Sequence, residues 1–177
     1  MSARLALVAA LLALGCSRPA APSIHLEVGP AAGERLEFSP QASFAEYVEL
    51  KDSRHELRLT FAGYATSCEG YVTPPPGRPL VSVVIASPWN DPPRPAHYPW
   101  TGQTERAHAL PSVRIGTRAY DLPPGGGVTL RSLELSPHGS VEGDLDFQFP
   151  GDAERPAKSV RGRFVARLCR VNRAEAP

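Results

Sequence analysis

Residues 141–149 read VEGDLDFQF and residues 158–168 read KSVRGRFVARL, and these two runs decide the fold. In the first, Val141, Gly143, Leu145, Phe147 and Phe149 alternate with Glu142, Asp144, Asp146 and Gln148. In the second, Val160, Gly162, Phe164, Ala166 and Leu168 alternate with Arg161, Arg163, Val165 and Arg167. A period of two sends one side of each run into a core and the other into water, the pattern of half-buried β-strands. Antiparallel pairing sets acids beside arginines on the wet side. For the apolar sides to coincide, partner numbers must sum to an odd value, and sums of 307 or 309 place Asp146 opposite Arg161 or Arg163.

Outward from this pair the alternation recurs in short runs, separated by TPPPGRP, SPWNDPPRPAHYPW, LPPGGG and SPHGS, whose Pro and Gly cannot continue a ladder. Candidate strands cover 24–28, 35–38, 44–50, 55–61, part of 64–72, 80–86, 112–115, 118–122, 128–135, 141–149 and 158–168. No window of helical length carries an apolar stripe, so the expected class is all-β. If residues 51–54, KDSR, form a turn, Phe44 and Val48 share a face with Leu57 and Phe61, with Glu46 a polar intruder. In 128–135 the apolar parity switches between Leu130 and Leu133, which predicts a bulge near Arg131 and Ser132. Residues 80–86, LVSVVIA, are apolar on nearly both parities and read as a central strand. The expected architecture is an antiparallel two-layer β-sandwich, with a closed β-barrel as the alternative.

The amino terminus has a different character. After MSAR comes an apolar run, LALVAALLAL at 5–14, then Gly15, Cys16 and Ser17. The run is too short to span roughly 30 Å of hydrocarbon but suits the apolar region of a signal peptide. Ala13-Leu14-Gly15-Cys16 resembles the lipobox of bacterial lipoproteins, in which a small residue precedes a cysteine that is lipidated and becomes the mature amino terminus. That resemblance implies lipidation of Cys16, and Ser17 after it implies residence at the outer membrane. The alternative is ordinary secretory cleavage, since Ala13-x-Gly15 also satisfies the small-x-small rule. Cysteine parity favours lipidation: of three cysteines, Cys68 and Cys169 form a disulfide in an exported chain, and Cys16 is left over. The expected organisation is a signal peptide at 1–15, a lipidated Cys16 and Pro-stiffened tether at 16–23, one β domain at 24–172 and a tail at 173–177. Over roughly its last fifty residues the chain also resembles uncharacterised secreted β-lipoproteins of GC-rich bacteria. The resemblance lies in the Gly-rich entry to Val128, GSVEGDLDF, SVRGRFVARLC and a single mid-chain cysteine. It implies fold and location only.

Composition narrows the functional classes. Lys and Arg total 19 against 18 Asp and Glu, and loss of Arg4 with the leader leaves 18 of each. A neutral chain lacks the basic footprint that nucleic-acid binding requires, which excludes that class. The histidines, His25, His55, His97, His108 and His138, have no metal-ligand spacing; HELRL at 55–59 lacks the second histidine of a zinc-protease helix and sits on a strand pattern. No nucleophile elbow or phosphate-binding glycine pattern is present, so neither a catalytic residue nor a cofactor is assigned. Glu142, Asp144 and Asp146 read as a solvated face paired with Arg161, Arg163 and Arg167 rather than as an ion site. The segment 88–100 holds both tryptophans, Trp89 and Trp100, with His97, Tyr98 and five prolines. Trp89, His97, Tyr98 and Trp100 are candidates for a recognition loop, the competing reading being a plug over one end of the sandwich. The functional expectation is a membrane-anchored envelope lipoprotein that binds another envelope protein without catalysis. A glycan or small-ligand module using the aromatic loop, and a hydrolase with a site hidden in the sequence, are the alternatives.

Overall fold

The structure, a computed structural model, describes residues 22–27, 35–50, 54–69, 73–88, 90–102, 106–120, 124–149 and 158–172. The expected signal peptide at 1–15, Cys16, Trp89, residues 51–53 of the expected turn and the expected tail at 173–177 lie outside the described residues. What is described is all-β. In chain order the strands are β1 (Ser23–Glu27), β2 (Arg35–Phe38), β3 (Ala42–Glu49), β4 (His55–Ala62), β5 (Pro79–Ser87) and β6 (His97–Pro99). They continue with β7 (His108–Ile115), β8 (Arg118–Tyr120), β9 (Gly127–Leu133), β10 (Ser140–Phe149) and β11 (Lys158–Asn172). Residues 64–69, part of an expected strand, form a loop instead, and β6 was not expected.

These strands form one sheet in the order β6-β9-β10-β11-β3-β4-β5-β7-β8, with β1 added to β11 and β2 to β1. The sheet is mixed, because β11 and β3 run parallel, whereas an antiparallel sandwich was expected. The reason lies in β11, whose 15 residues reach about 50 Å at roughly 3.3 Å each. That length lets one edge of β11 carry β1 at residues 159–163 and β3 at residues 167–172, end to end. A single long strand therefore links what two separate sheets would have divided. The sheet curls into a half-barrel, and β7 contacts both β6 and β9 from the far end of the strand order.

The C-terminal hairpin has the register with sum 307: Asp146 lies opposite Arg161, Leu145 opposite Gly162 and Gly143 opposite Phe164. The bulge expected in the third-last strand is present, since Glu142 pairs Ser132 while Gly143 pairs Leu130, leaving Arg131 as the extra residue. Glycine is required at two crossings of this region. A Cβ on Gly143 would strike the Thr129 carbonyl and the Phe164 ring, and one on Gly162 would strike the Ser23 carbonyl as β1 passes. The β3–β4 hairpin departs from expectation. Ala45 pairs Leu59 and Tyr47 pairs Leu57, so Ala45 and Tyr47 are the buried residues and Phe44, Glu46 and Val48 face outward. The loop closes with Leu50 N–H donating to the Arg54 carbonyl at 2.8 Å, a geometry that makes partner sums even and flips every side chain of β3. Glu46 is then no intruder: it lies opposite Arg58 and 3.4 Å from Arg170.

One apolar core fills the curl. It draws Ile24 and Leu26 from β1, Leu57, Leu59 and Phe61 from β4, Val81, Val83 and Ile85 from β5, and Val160, Phe164 and Leu168 from β11. Phe61 and Phe164 meet with ring centroids 5.0 Å apart and planes tilted by 54°, a favourable aromatic geometry. On the outer face, Tyr64 folds over Ala62 and Leu80 to make a second, small cluster. The loop carrying Tyr64 is fastened by the Cys68–Cys169 disulfide, with Cα atoms 6.4 Å apart. Cys169 is the bulged residue of β11, unpaired between Leu168 and Arg170 in the ladder to β3, which leaves its side chain available for that bond.

Candidate functional site

Among the described residues, His97, Tyr98 and Trp100 do not form one exposed surface. β5 ends at Ser87 and β6 begins at His97 at the opposite end of the strand order, so the chain passes from one side of the sheet order to the other between them. The crossing is internally braced. Asp91 N–H donates to the Pro88 carbonyl at 3.0 Å, Arg94 lies 2.8 Å from Asp91, and the Tyr98 hydroxyl donates to the Arg94 carbonyl while accepting its N–H, both at 2.8 Å. Because β6 pairs with β9, strand alternation divides the aromatic candidates between faces. Tyr98 is 4% exposed and belongs to the core, Trp100 packs half-buried against that core, and His97 faces outward with Nδ1 3.1 Å from the Thr129 hydroxyl. Burial pushes the Tyr98 phenol above its usual range, partly offset by the hydrogen bond from Arg94.

Near the end of β5 sit polar side chains that the sequence did not single out as a group. His55 and Ser87 are directly opposite each other on β4 and β5, both buried. The His55 ring stacks on Tyr47 and shares a 2.8 Å hydrogen bond between Nδ1 and the phenol. Ser87 Oγ is buried without a hydrogen-bond partner. It makes no hydrogen bond to the imidazole, so the pair lacks the geometry of a base-activated nucleophile.

A groove rich in ionisable side chains lies where β2, β1 and β11 adjoin. It encloses about 540 Å³ and is lined by His25, Glu27, Leu36, Glu37, Ser159 and Arg161, with Leu26 at its base. Register explains the convergence: Glu37 lies opposite His25, His25 opposite Arg161, and Arg161 opposite Asp146, a row across four strands. Within it His25 Nδ1 is 3.5 Å from Glu37, and Arg161 Nε is 3.3 Å from Asp146. All four side chains are solvent-exposed, so these pairs orient a surface more than they stabilise the fold. Among the described residues β2 pairs only with β1, and no described strand lies on its other edge. No sequence signal marks this site, because its residues come from three strands that only the ladder brings together.

The remaining candidates are dispersed. Asp144 binds Arg131 and lies 4.0 Å from Arg163, and Asp146 meets Arg161, but Glu142 lies opposite Val165 and Arg167 turns to His138, so the expected acid–arginine pairing holds for two of the three acids. His108 is buried with Nδ1 donating to the Arg106 carbonyl at 2.6 Å, and His138 accepts from Arg167 at 3.1 Å. Among the described residues no group of three His, Cys, Asp or Glu is placed to hold a metal ion. No described helix is long and apolar enough to cross a membrane. Compared with known proteins, the chain matches no family model, no curated protein and no solved structure.

Proposed function

We infer that this is an envelope lipoprotein, held at the outer membrane by acyl chains on Cys16, whose β domain binds a partner protein and performs no catalysis. The observation that carries the reading is cysteine pairing. The disulfide takes Cys68 and Cys169, and the remaining cysteine stands in Ala13-Leu14-Gly15-Cys16 after a leader-like apolar run. A disulfide also suits an exported chain. More than one acyl chain on a single residue gives stable anchoring, because each buried CH₂ contributes about 0.8 kcal/mol and one chain alone binds marginally.

The partner surface follows from where the tether meets the domain. β1 starts at Ser23, and the Pro-containing residues 17–23 reach roughly 20 Å at about 3.1 Å each. The groove is lined by β1 itself, so anchoring would keep it close to the membrane. An extended segment of another envelope protein can add to the edge of β2 on which no described strand lies, while its side chains enter the groove. In architecture, the two halves of the curled sheet act as facing layers of a sandwich, a reading supported by core residues drawn from both halves.

The test has two arms. Cys16→Ala should leave the membrane fraction and lose acyl labelling; a variant that still sediments with membranes overturns the anchor. A photo-crosslinker at Glu37 should capture a defined neighbour that one at Glu56, on β4, does not. Equal capture from both positions, or from neither, overturns the groove as the binding surface.

A further inference from the structure

On the outer face of β4, β5 and β7 three hydroxyl side chains stand in register: Thr60 lies opposite Ser82, and Ser82 opposite Ser112. Adjacent strands are about 4.8 Å apart, so the hydroxyls form a row at that spacing. The row borders a separate depression of about 390 Å³ lined by Leu80, Ser82, Ser112 and Arg114. Register fixes this set as well, since Leu80 and Arg114 are cross-strand partners one outward row further on. Leu80 is held 7% exposed by Tyr64 and Ala62, so it offers an edge of apolar wall rather than a loose side chain.

We propose that this depression is a shallow subsite for an acidic sugar, a pyranose carrying a carboxylate. The choice of ligand follows from the lining. A serine hydroxyl both donates and accepts, so Ser82 and Ser112 can satisfy a ligand whose own groups are hydroxyls. The strand spacing is close to that between alternate hydroxyls around a pyranose ring. The Leu80 wall suits the C–H face of such a ring, and the Arg114 guanidinium can meet a carboxylate through two parallel N–H donors. The volume is within the range of small-ligand sites and at its lower end, as a single sugar ring requires. The subsite lies on different strands from the β2 groove and depends on neither the anchor nor a protein partner.

The experiment is saturation-transfer NMR on the full-length protein in detergent, with D-galacturonate and D-galactose as probes. Galacturonate should receive saturation and galactose should receive less. Replacing both serines, Ser82→Ala with Ser112→Ala, should weaken galacturonate binding about tenfold or more, the loss expected when two ligand hydrogen bonds go. Arg114→Gln should weaken galacturonate by about tenfold and leave galactose unchanged. All three positions are on the outer sheet face, and thermal melting confirms that each variant folds. The proposal is overturned if neither sugar receives saturation, if the double serine variant binds galacturonate as the parent does, or if Arg114→Gln affects both sugars alike.

Discussion

On β9, β10 and β11 the outward side chains include Arg131, Glu142, Asp144, Asp146, Arg161, Arg163 and Arg167, whereas on β5 and β7 they include Ser82, Val84, Ala86, Leu110 and Ser112. Both sets cover the same core. On the first face, opposite charges meet across strands and add a second specification of register to the one that burial supplies. On the second face burial specifies register, and small hydroxyl and aliphatic side chains hold most of the outer positions. The charged face is therefore committed to its own neighbours, while the hydroxyl face keeps groups that can turn to a ligand.

The strongest challenge to this comparison acts on what the two regions share. Phe164 of β11 is fully buried and touches Phe61 of β4, so it joins the part of the sheet built from β9, β10 and β11 to the part built from β4, β5 and β7. Phe164→Ala should lower stability by about 3 to 5 kcal/mol, as large aromatic truncations in cores do. Probes placed on β10 and on β5 should lose structure in one coincident transition. Two separated transitions would show that the halves are independent layers. Next in size is the disulfide, which fastens the loop after β4 to the end of β11 across a separation of 101 residues. Its reduction should remove about 2 to 4 kcal/mol, read as a lower melting midpoint by calorimetry. Free thiols that react at once in the untreated folded protein would contradict the pairing.

The same contrast explains what was legible in the sequence. Register in the C-terminal hairpin was readable to within two residues, because arginines and acids had to meet on one side while aromatics met on the other. The bulge at Arg131 was readable because it displaces the apolar parity by one. In β3 the reading flipped. Phe44 and Val48 look more apolar than Ala45, and nothing local reveals that Glu46 will face Arg58 and Arg170 from two other strands. β6 was hidden because HYP is only three residues long and ends in a proline, and the start of β7 because Pro111 argues against a strand. Pro111 is tolerated where it stands: β8 pairs only Val113–Ile115, so β7 is an edge at that point. The β2 groove was illegible for a different reason. His25, Glu37 and Arg161 become neighbours only once β1 adds to β11, and alternation within a strand carries no information about which strand will lie beside it.

The smallest effect bears most directly on the comparison. Asp146 and Arg161 are cross-strand partners 3.3 Å apart, with side chains 62% and 51% exposed. At that exposure water and salt screen most of the attraction, so a double-mutant cycle with Asp146→Ala and Arg161→Ala should return a coupling of about 0.2 to 1 kcal/mol. The coupling should fall toward zero near 1 M salt, where the screening length is about 3 Å. A charged face whose pairs are individually this weak does not hold the sheet together; it acts by excluding the one-residue slip, which would set Asp146 opposite Gly162 and put Phe147 and Phe164 on opposite faces of the sheet. A coupling well above 1 kcal/mol that survives high salt would contradict this, and would mean that the charged face contributes to stability as the core does rather than selecting among registers that the core alone already favours.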